Sequence, residues 1–297
     1  MKKSFIKVGL LLAGALIPLV LIFVSLRDKK NPRVSTALAE KPFVIIVPSY
    51  NNAAYCEQNI LSILHQQYEN YRVVFIDDAS TDDTYDRVKA LVDRSPKKEQ
   101  VELIRNEKNK GSLKNLYEAI HSCKDNEIVV RVDGDDLLSQ PFVLKKLNKV
   151  YANANIWMTY GNYLDYPSYK QKPQLCQKIP KSIIRNHRFR QYKWVTAHLH
   201  TFYAGLFKKI SPEHLTRDGT FLPVAGDVAV IIPMLEMAAD HFQFIDEILY
   251  LYNRSNPLSD HLNNRLVLQN SYDRYVRSLP SYQPLEQAPY LPVEAVR

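Results

Sequence analysis

FVIIVPSYNNAAYCEQNILSILHQQYENYRVVFIDDASTDDT, residues 43–84, decides the fold. Residues 43–47 and 72–76 are continuous β-branched and aromatic runs of the length of a buried strand, and residues 53–67 between them repeat apolar positions at helical spacing. Residues 81–93 return to the helical pattern, with Ser80 and Asp83 as the polar pair expected to cap its start. The alternation continues with a strand at 101–104, a helix at 111–122 and a strand at 127–132. It predicts an α/β domain with a doubly wound, mostly parallel, Rossmann-like sheet flanked by helices, whose ligands collect at the carboxyl ends of the strands.

The second half is less regular. Residues 156–160 and 244–252 read as strands, 221–239 as a helix entered through Gly226-Asp227, and 260–277 as an amphipathic helix followed by a Pro-rich tail expected to be disordered. Residues 163–194 are basic and aromatic without a clear period, the pattern of a binding or lid loop. There is no internal repeat and no long low-complexity tract.

A chain of 297 residues that is 46% hydrophobic supports a real core, in one large α/β domain or two small ones. The net charge of +8 comes from scattered basic residues and not from one long run, so nucleic acid is not an expected partner. An anionic small-molecule donor and an anionic bilayer explain the excess equally well. Cys56, Cys123 and Cys176 are odd in number and lack ligand spacing, which argues against a disulfide framework or a zinc site and for a reducing compartment.

Residues 8–26 contain no charged side chain and are bracketed by Lys2, Lys3 and Lys7 before and Arg27, Lys29, Lys30 and Arg33 after. That length crosses a bilayer as a helix, so residues 1–27 are expected to be an uncleaved transmembrane anchor and 28–41 a linker. Ala37-Leu38-Ala39 looks like a peptidase site, but it sits well past the apolar run, behind charge. The slight positive excess on the C-terminal side places the main domain in the cytoplasm of a bacterial host. In a eukaryotic host the same arrangement would be lumenal.

Three predicted strands end in polar residues: VPSYNN (47–52), FIDDAST (75–81) and VDGDD (132–136). Clustered aspartates repel unless a cation or hydrogen-bond donors compensate, and hard divalent metals prefer oxygen ligands. A metal at Asp133, Asp135 and Asp136 would bridge a diphosphate and offset charge on a leaving group. Asp77-Asp78 alone reads equally well as a turn or cap.

With these three motifs in order, the chain resembles a family 2 glycosyltransferase of GT-A fold, from about Pro42 to about Tyr252 and most strongly up to Leu138. DGDD is similar to that family's DXD motif. The resemblance implies inverting transfer of a sugar from a nucleotide-diphosphate donor, a UDP-sugar, to an acceptor hydroxyl with Mn2+ or Mg2+. It implies that Pro48 and Tyr50 line the nucleotide pocket, that Asp78 accepts the uracil imide proton, that Asp133 contacts the ribose side and that Asp135 ligates the metal. Lys114 stands where the family often has an arginine near the donor, and it reads equally as part of a solvated helix face.

VAGDVAVIIPMLEMA (224–238) resembles the family's acceptor-side segment, which makes Asp227 the general base. Inversion independently requires a base opposite the leaving diphosphate. The family often has Glu-Asp where this chain has Gly226-Asp227. His198 and His200 precede a stretch resembling the acceptor floor, and Arg254 would neutralise diphosphate or sit in a surface salt bridge.

The resulting division is an anchor (1–27), a linker (28–41), a glycosyltransferase domain (42–255, with a nucleotide-sugar half to 138 and an acceptor half from 139) and a C-terminal helix and tail (256–297). Expected partners are a nucleotide-sugar, a glycan, lipid-linked or protein acceptor, and the membrane. Two other readings stand beside this one: a non-catalytic nucleotide-sugar-binding scaffold, and a nucleotidyl- or phosphoryl-transfer enzyme. The last lacks support, because the second strand carries no Asp-x-Asp nucleophile and the chain has no P-loop.

Overall fold

In a computed structural model, the structure describes residues 38–170, 176–258 and 265–291. The expected anchor (1–27) and the linker through residue 37 lie outside the described residues. Among the described residues no helix is long and apolar enough to cross a membrane.

The first half follows the expected alternation: β1 (Phe43–Ser49), α1 (Cys56–Leu64), β2 (Tyr71–Asp77), α2 (Thr84–Arg94), β3 (Val101–Arg105), α3 (Ser112–His121) and β4 (Ile128–Arg131). Every residue of β1 is buried. It pairs in parallel with β2 on one side and β4 on the other, and a strand covered on both faces needs no polar alternation. One local expectation changes. The second helix begins at Thr84, three residues late, and the carboxylate of Asp82 accepts the Thr84 N–H at 3.0 Å in place of Ser80 or Asp83. Ser80 instead accepts the Asn51 N–H with its hydroxyl, at 2.9 Å.

The second half contains β5 (Leu137–Leu138), α4 (Val143–Tyr151), β6 (Met158–Tyr166), α5 (Lys181–Arg185), β7 (Ala197–Tyr203), α6 (Ala204–Phe207), β8 (Thr216–Arg217), β9 (Thr220–Phe221), α7 (Gly226–Ala238), β10 (Phe242–Asn253) and α8 (Leu266–Ser278). The main sheet runs β3-β2-β1-β4-β7-β6-β10-β5. Strand β7 is antiparallel to both β4 and β6, and β5 is antiparallel to β10, so the sheet is mixed and six of its strands share one direction. Strand β7 escaped the sequence pattern because AHLHTFY interrupts its apolar positions with two histidines and a threonine, although all but its first residue are buried.

Among the described residues, those expected as one long loop divide between β6, α5 and connections that bury Ile179 and Phe189 in the core. The Pro-rich tail also differs from expectation through residue 291. The Tyr290 ring packs 4.2 Å from that of Tyr203, and the Tyr282 N–H donates to Glu236 at 3.1 Å. Ring packing and hydrogen bonds of this kind offset the entropy of ordering a proline-rich segment.

Candidate active site

The carboxyl ends of β1, β2 and β4 open into a cleft of about 940 Å³. Pro48, Tyr50, Asp78, Asp133, Asp135, Asp227 and Arg254 all line it. Lys114 does not: it lies on the exposed side of α3 with its Nζ 3.9 Å from Glu118, one helical turn on. The phosphate role expected for Lys114 has no geometric basis in this structure.

At one end of the cleft, Asp78 is tied into the loop that enters α3. Its carboxylate accepts the Lys110 and Gly111 N–H groups and the Asn106 side-chain amide, each at 2.8 Å. Gly111 has φ of +86°, a conformation that favours glycine. Asp78 therefore shapes this end of the cleft whether or not it also meets a base.

The DGDD turn sends its three carboxylates to three different environments. The Asp136 N–H donates to the Asp133 carbonyl at 3.0 Å, closing a tight turn. A Cβ on Gly134 would stand 2.5 Å from Ser49 Oγ and 2.6 Å from its Cβ, so only glycine fits against the end of β1. Asp136 turns into the core, where it accepts the Tyr250 hydroxyl at 2.7 Å and the Asn253 N–H at 2.6 Å. Burial, then the charges of Asp135 and Asp133, push its carboxyl well above the usual range. Asp136 is thus a fastener between the turn and β10.

Asp135 faces the cleft and accepts a hydrogen bond from Asn256 Nδ2 at 2.7 Å. Burial pushes it up to about 6, eased by Asn256 and reinforced by Asp133. Among the described residues no group of three His, Cys, Asp or Glu side chains could hold a metal ion. A cation here would take one carboxylate from the protein and further oxygens from a ligand. Asp135 suits that arrangement, because a buried carboxylate with one neutral partner gains from a positive neighbour.

Asp133 and Asp227 are joined by Arg131, a residue the sequence reading passed over. Arg131 ends β4, its side chain is nearly buried, and it pairs with Asp227 on the first turn of α7 and with Asp133 Oδ1 at 3.3 Å. Burial disfavours the guanidinium charge, but Asp133 and Asp227 outweigh it and hold Arg131 firmly protonated. Burial likewise acts to raise Asp227, and Arg131 overrides it, holding the carboxyl well below the usual carboxylate range. The available clue was a charged residue inside the otherwise apolar run IVVRV.

His198, on β7, completes this floor. Its ring stacks on Tyr250 with centroids 4.6 Å apart, and its Nε2 lies 4.0 Å from Asp133. Burial lowers it, and pushes the neighbouring His200 down to about 3, so both rings are neutral at pH 7. Arg254 lines the cleft with its Nε 2.9 Å from Asp165 and its guanidinium 4.7 Å from the Tyr252 ring. Part of the remaining wall comes from beyond residue 255: Asn256, and Gln269, Asn270 and Asp273 of α8.

A family model described as Glycosyl transferase family 2 matches residues 44–215. The chain belongs to that family. An uncharacterized glycosyltransferase of Haemophilus influenzae is 33% identical over 119 residues, covering 40% of this chain and 46% of that protein. The chain thus spans less than half the length of the first curated relatives it matches. Among solved structures, S. aureus TarS 1-349 in complex with UDP-GlcNAc superposes with a TM-score of 0.57 at 19% identity, over 79% of this chain and 65% of that fragment. The mannosyltransferase PcManGT of Pyrobaculum calidifontis, in complex with GDP-Man and Mn2+, gives 0.57 at 18% identity over 82% of this chain and 66% of that one. At these identities the likeness concerns the fold, and this family 2 chain shares the GT-A-like architecture of both.

Proposed function

We propose that this family 2 chain is an inverting glycosyltransferase that moves a sugar from a UDP-sugar to an acceptor hydroxyl, anchored to a membrane through residues 1–27. The observation that carries the reading is the joining of two charge systems in one cleft. Asp78, Asp135 and Arg254 suit a nucleoside diphosphate, and Asp227, tied through Arg131 to Asp133 of the DGDD turn, suits a base.

In this reading Pro48 and Tyr50 flank the base, Asp78 accepts its imide N–H, and Asp133 meets the ribose. Asp135 holds Mn2+ or Mg2+, which supplies positive charge against the leaving diphosphate. Arg254 adds a fixed positive charge on the same side. Asp227 receives the acceptor proton on the carboxylate oxygen that Arg131 leaves free, and Arg131 keeps it ionised and aimed before the acceptor arrives. TarS and PcManGT, whose structures contain UDP-GlcNAc and GDP-Man with Mn2+, support a nucleotide-sugar donor here. For a bacterial host the positive residues after the apolar run favour a cytoplasmic domain.

The test is calorimetric titration of the chain with UDP and with GDP, with and without manganese, for the native protein and Asp135→Asn, followed by sugar transfer for Asp227→Asn. Manganese-dependent UDP binding lost in Asp135→Asn, together with loss of transfer in Asp227→Asn, is the expected pattern. Absence of binding by either nucleotide would end the reading.

One observation favours a non-catalytic nucleotide-sugar-binding protein instead: the pair with Arg131 lowers the proton affinity of Asp227. Tight donor binding with neither transfer nor hydrolysis across a broad acceptor panel would select that alternative.

A further inference from the structure

Between Asp165 and Glu213 the chain contains ten Lys and Arg residues and no Asp or Glu. Two of the ten work inside the fold: Arg190 pairs with Glu236, and Lys208 with Asp125. Lys178, Lys181, Arg185, Arg188 and Lys193 are exposed, and among the described residues none of the five makes an ion pair. They stand on a firm base, because Ile179, Phe189 and Val195 are buried beneath them and Ile183 and Ile184 pack against the core. The α5 insertion therefore presents an array of like charge whose mutual repulsion nothing nearby relieves.

A second feature adjoins it. The first turn of α8 exposes three consecutive large apolar side chains, Leu266 at 56%, Val267 at 80% and Leu268 at 43%. The other end of α8 is fastened to the insertion, with Arg277 donating to the carbonyls of Arg190 and Tyr192 at 2.8 and 2.9 Å. Trp194 of the insertion and Gln269, Asn270 and Asp273 of α8 line the same cleft. The elements that carry the cations and the apolar turn thus both contribute to one wall of the site.

We propose that the α5 insertion and the first turn of α8 form a docking surface for an anionic lipid bilayer, which brings the cleft to the membrane surface. Cations beside exposed apolar side chains match that partner on both counts. The lysines and arginines sit at the level of anionic headgroups, and the leucines and valine enter the acyl boundary. A soluble polyanion would engage the cations and leave the apolar turn without a role. The surface is separate from the anchor expected at residues 1–27, and its contribution depends on lipid charge where that of an apolar span does not.

The test uses the full chain bound to vesicles of phosphatidylcholine alone or with about one part in four phosphatidylglycerol. Amide hydrogen exchange is followed in residues 178–193 and 266–270, with β1 as the folding control. Exchange of both segments should slow by about tenfold on the anionic vesicles relative to the neutral ones and recover in high salt, as screened headgroup attraction requires. Replacing Lys178, Lys181, Arg185, Arg188 and Lys193 together by serine should remove the difference while UDP binding is retained. The triple change Leu266→Ser, Val267→Ser and Leu268→Ser should weaken it. Equal exchange on the two vesicle types overturns the proposal. So does equal slowing by soluble polyphosphate that the triple change leaves untouched, which would mark a polyanion site. The readout is protection, not transfer, so it stands or falls independently of the reading of the cleft.

Discussion

Arg131 and Asp227 are ion-paired on the floor of the cleft, one at the end of β4 and the other on the first turn of α7. The same guanidinium reaches Asp133, so a single side chain connects the DGDD turn to the candidate base. Its position explains how a carboxylate whose proton affinity burial raises is held charged.

This pairing has a consequence for pH. In the proposed role Asp227 must be ionised to accept a proton, and its pKa is depressed, so its own protonation lowers kcat/KM as pH drops through a value below the ordinary aspartate pKa of about 3.9, beneath any limb set by Asp135 near 6. In Arg131→Gln burial acts without its opponent, and the acid limb moves upward by about one unit or more. Stability follows the same sign: the pair stabilises the fold above the ordinary aspartate pKa, and that contribution is lost as pH falls below it. The groups facing Asp227 from β4 and β7 are Arg131, His198 and His200, with both histidines neutral near pH 7. A pH profile of kcat/KM for the two proteins is the measurement, and an acid limb that stays in place would remove Asp227 from the proton transfer.

Gly134→Ala tests the turn itself. The added methyl would meet Ser49 and the end of β1, and overpacking of this kind costs about 1–3 kcal/mol. Because Ser49 and Gly134 sit beside Pro48 and Asp135, UDP affinity should fall by about tenfold or more, each 1.4 kcal/mol being a factor of ten. Urea denaturation and calorimetry measure the two effects. A variant with native stability and native affinity would mean that the turn is free to shift.

Tyr250→Phe separates the fastening role of Asp136 from the ligand-facing role of Asp135. The change deletes the hydroxyl that donates to Asp136 at 2.7 Å and accepts the Asp133 N–H at 3.1 Å. Leaving buried polar groups unpaired costs about 1–3 kcal/mol, visible as a lower urea midpoint. Metal dependence should persist, because Asp135 retains Asn256 and its exposure to the cleft.

The legible parts of this fold are those that a local pattern specifies. Strands β1, β2 and β4 are continuous apolar runs, because helices cover both faces of a central parallel sheet, and each run breaks at the residue that enters the cleft. Strand β5 has two residues and the apolar positions of β7 are interrupted by His198, His200 and Thr201, so neither carries a period long enough to read. Asn256 meets Asp135 across 121 residues, and the contribution of α8 to the cleft wall is likewise a matter of tertiary packing that spacing cannot encode. Lys114 shows the converse, since its i,i+4 relation to Glu118 was present in the sequence as a surface pair.

The pair Arg190–Glu236 offers the sharpest test of how the C-terminal helix is held. Both side chains are almost fully buried, at 2% and 1% exposure, and they form two bonds of 2.8 and 2.9 Å. Arg190 also donates to the Val276 carbonyl in α8, while Glu236, on α7, accepts the Tyr282 N–H. The pair therefore binds α7, α8 and the tail together behind the cleft. Glu236→Ala leaves a buried arginine uncompensated and should cost about 3–5 kcal/mol, whereas replacing both residues by methionine should recover most of the loss, because two desolvated charges are removed together. Chemical denaturation of the single and double variants measures this directly. If α8 depends on the pair for its seat, hydrogen exchange in residues 266–278 should rise in Glu236→Ala more than in β1. A uniform rise across the molecule would show instead that the pair supports the whole body and not this wall of the cleft.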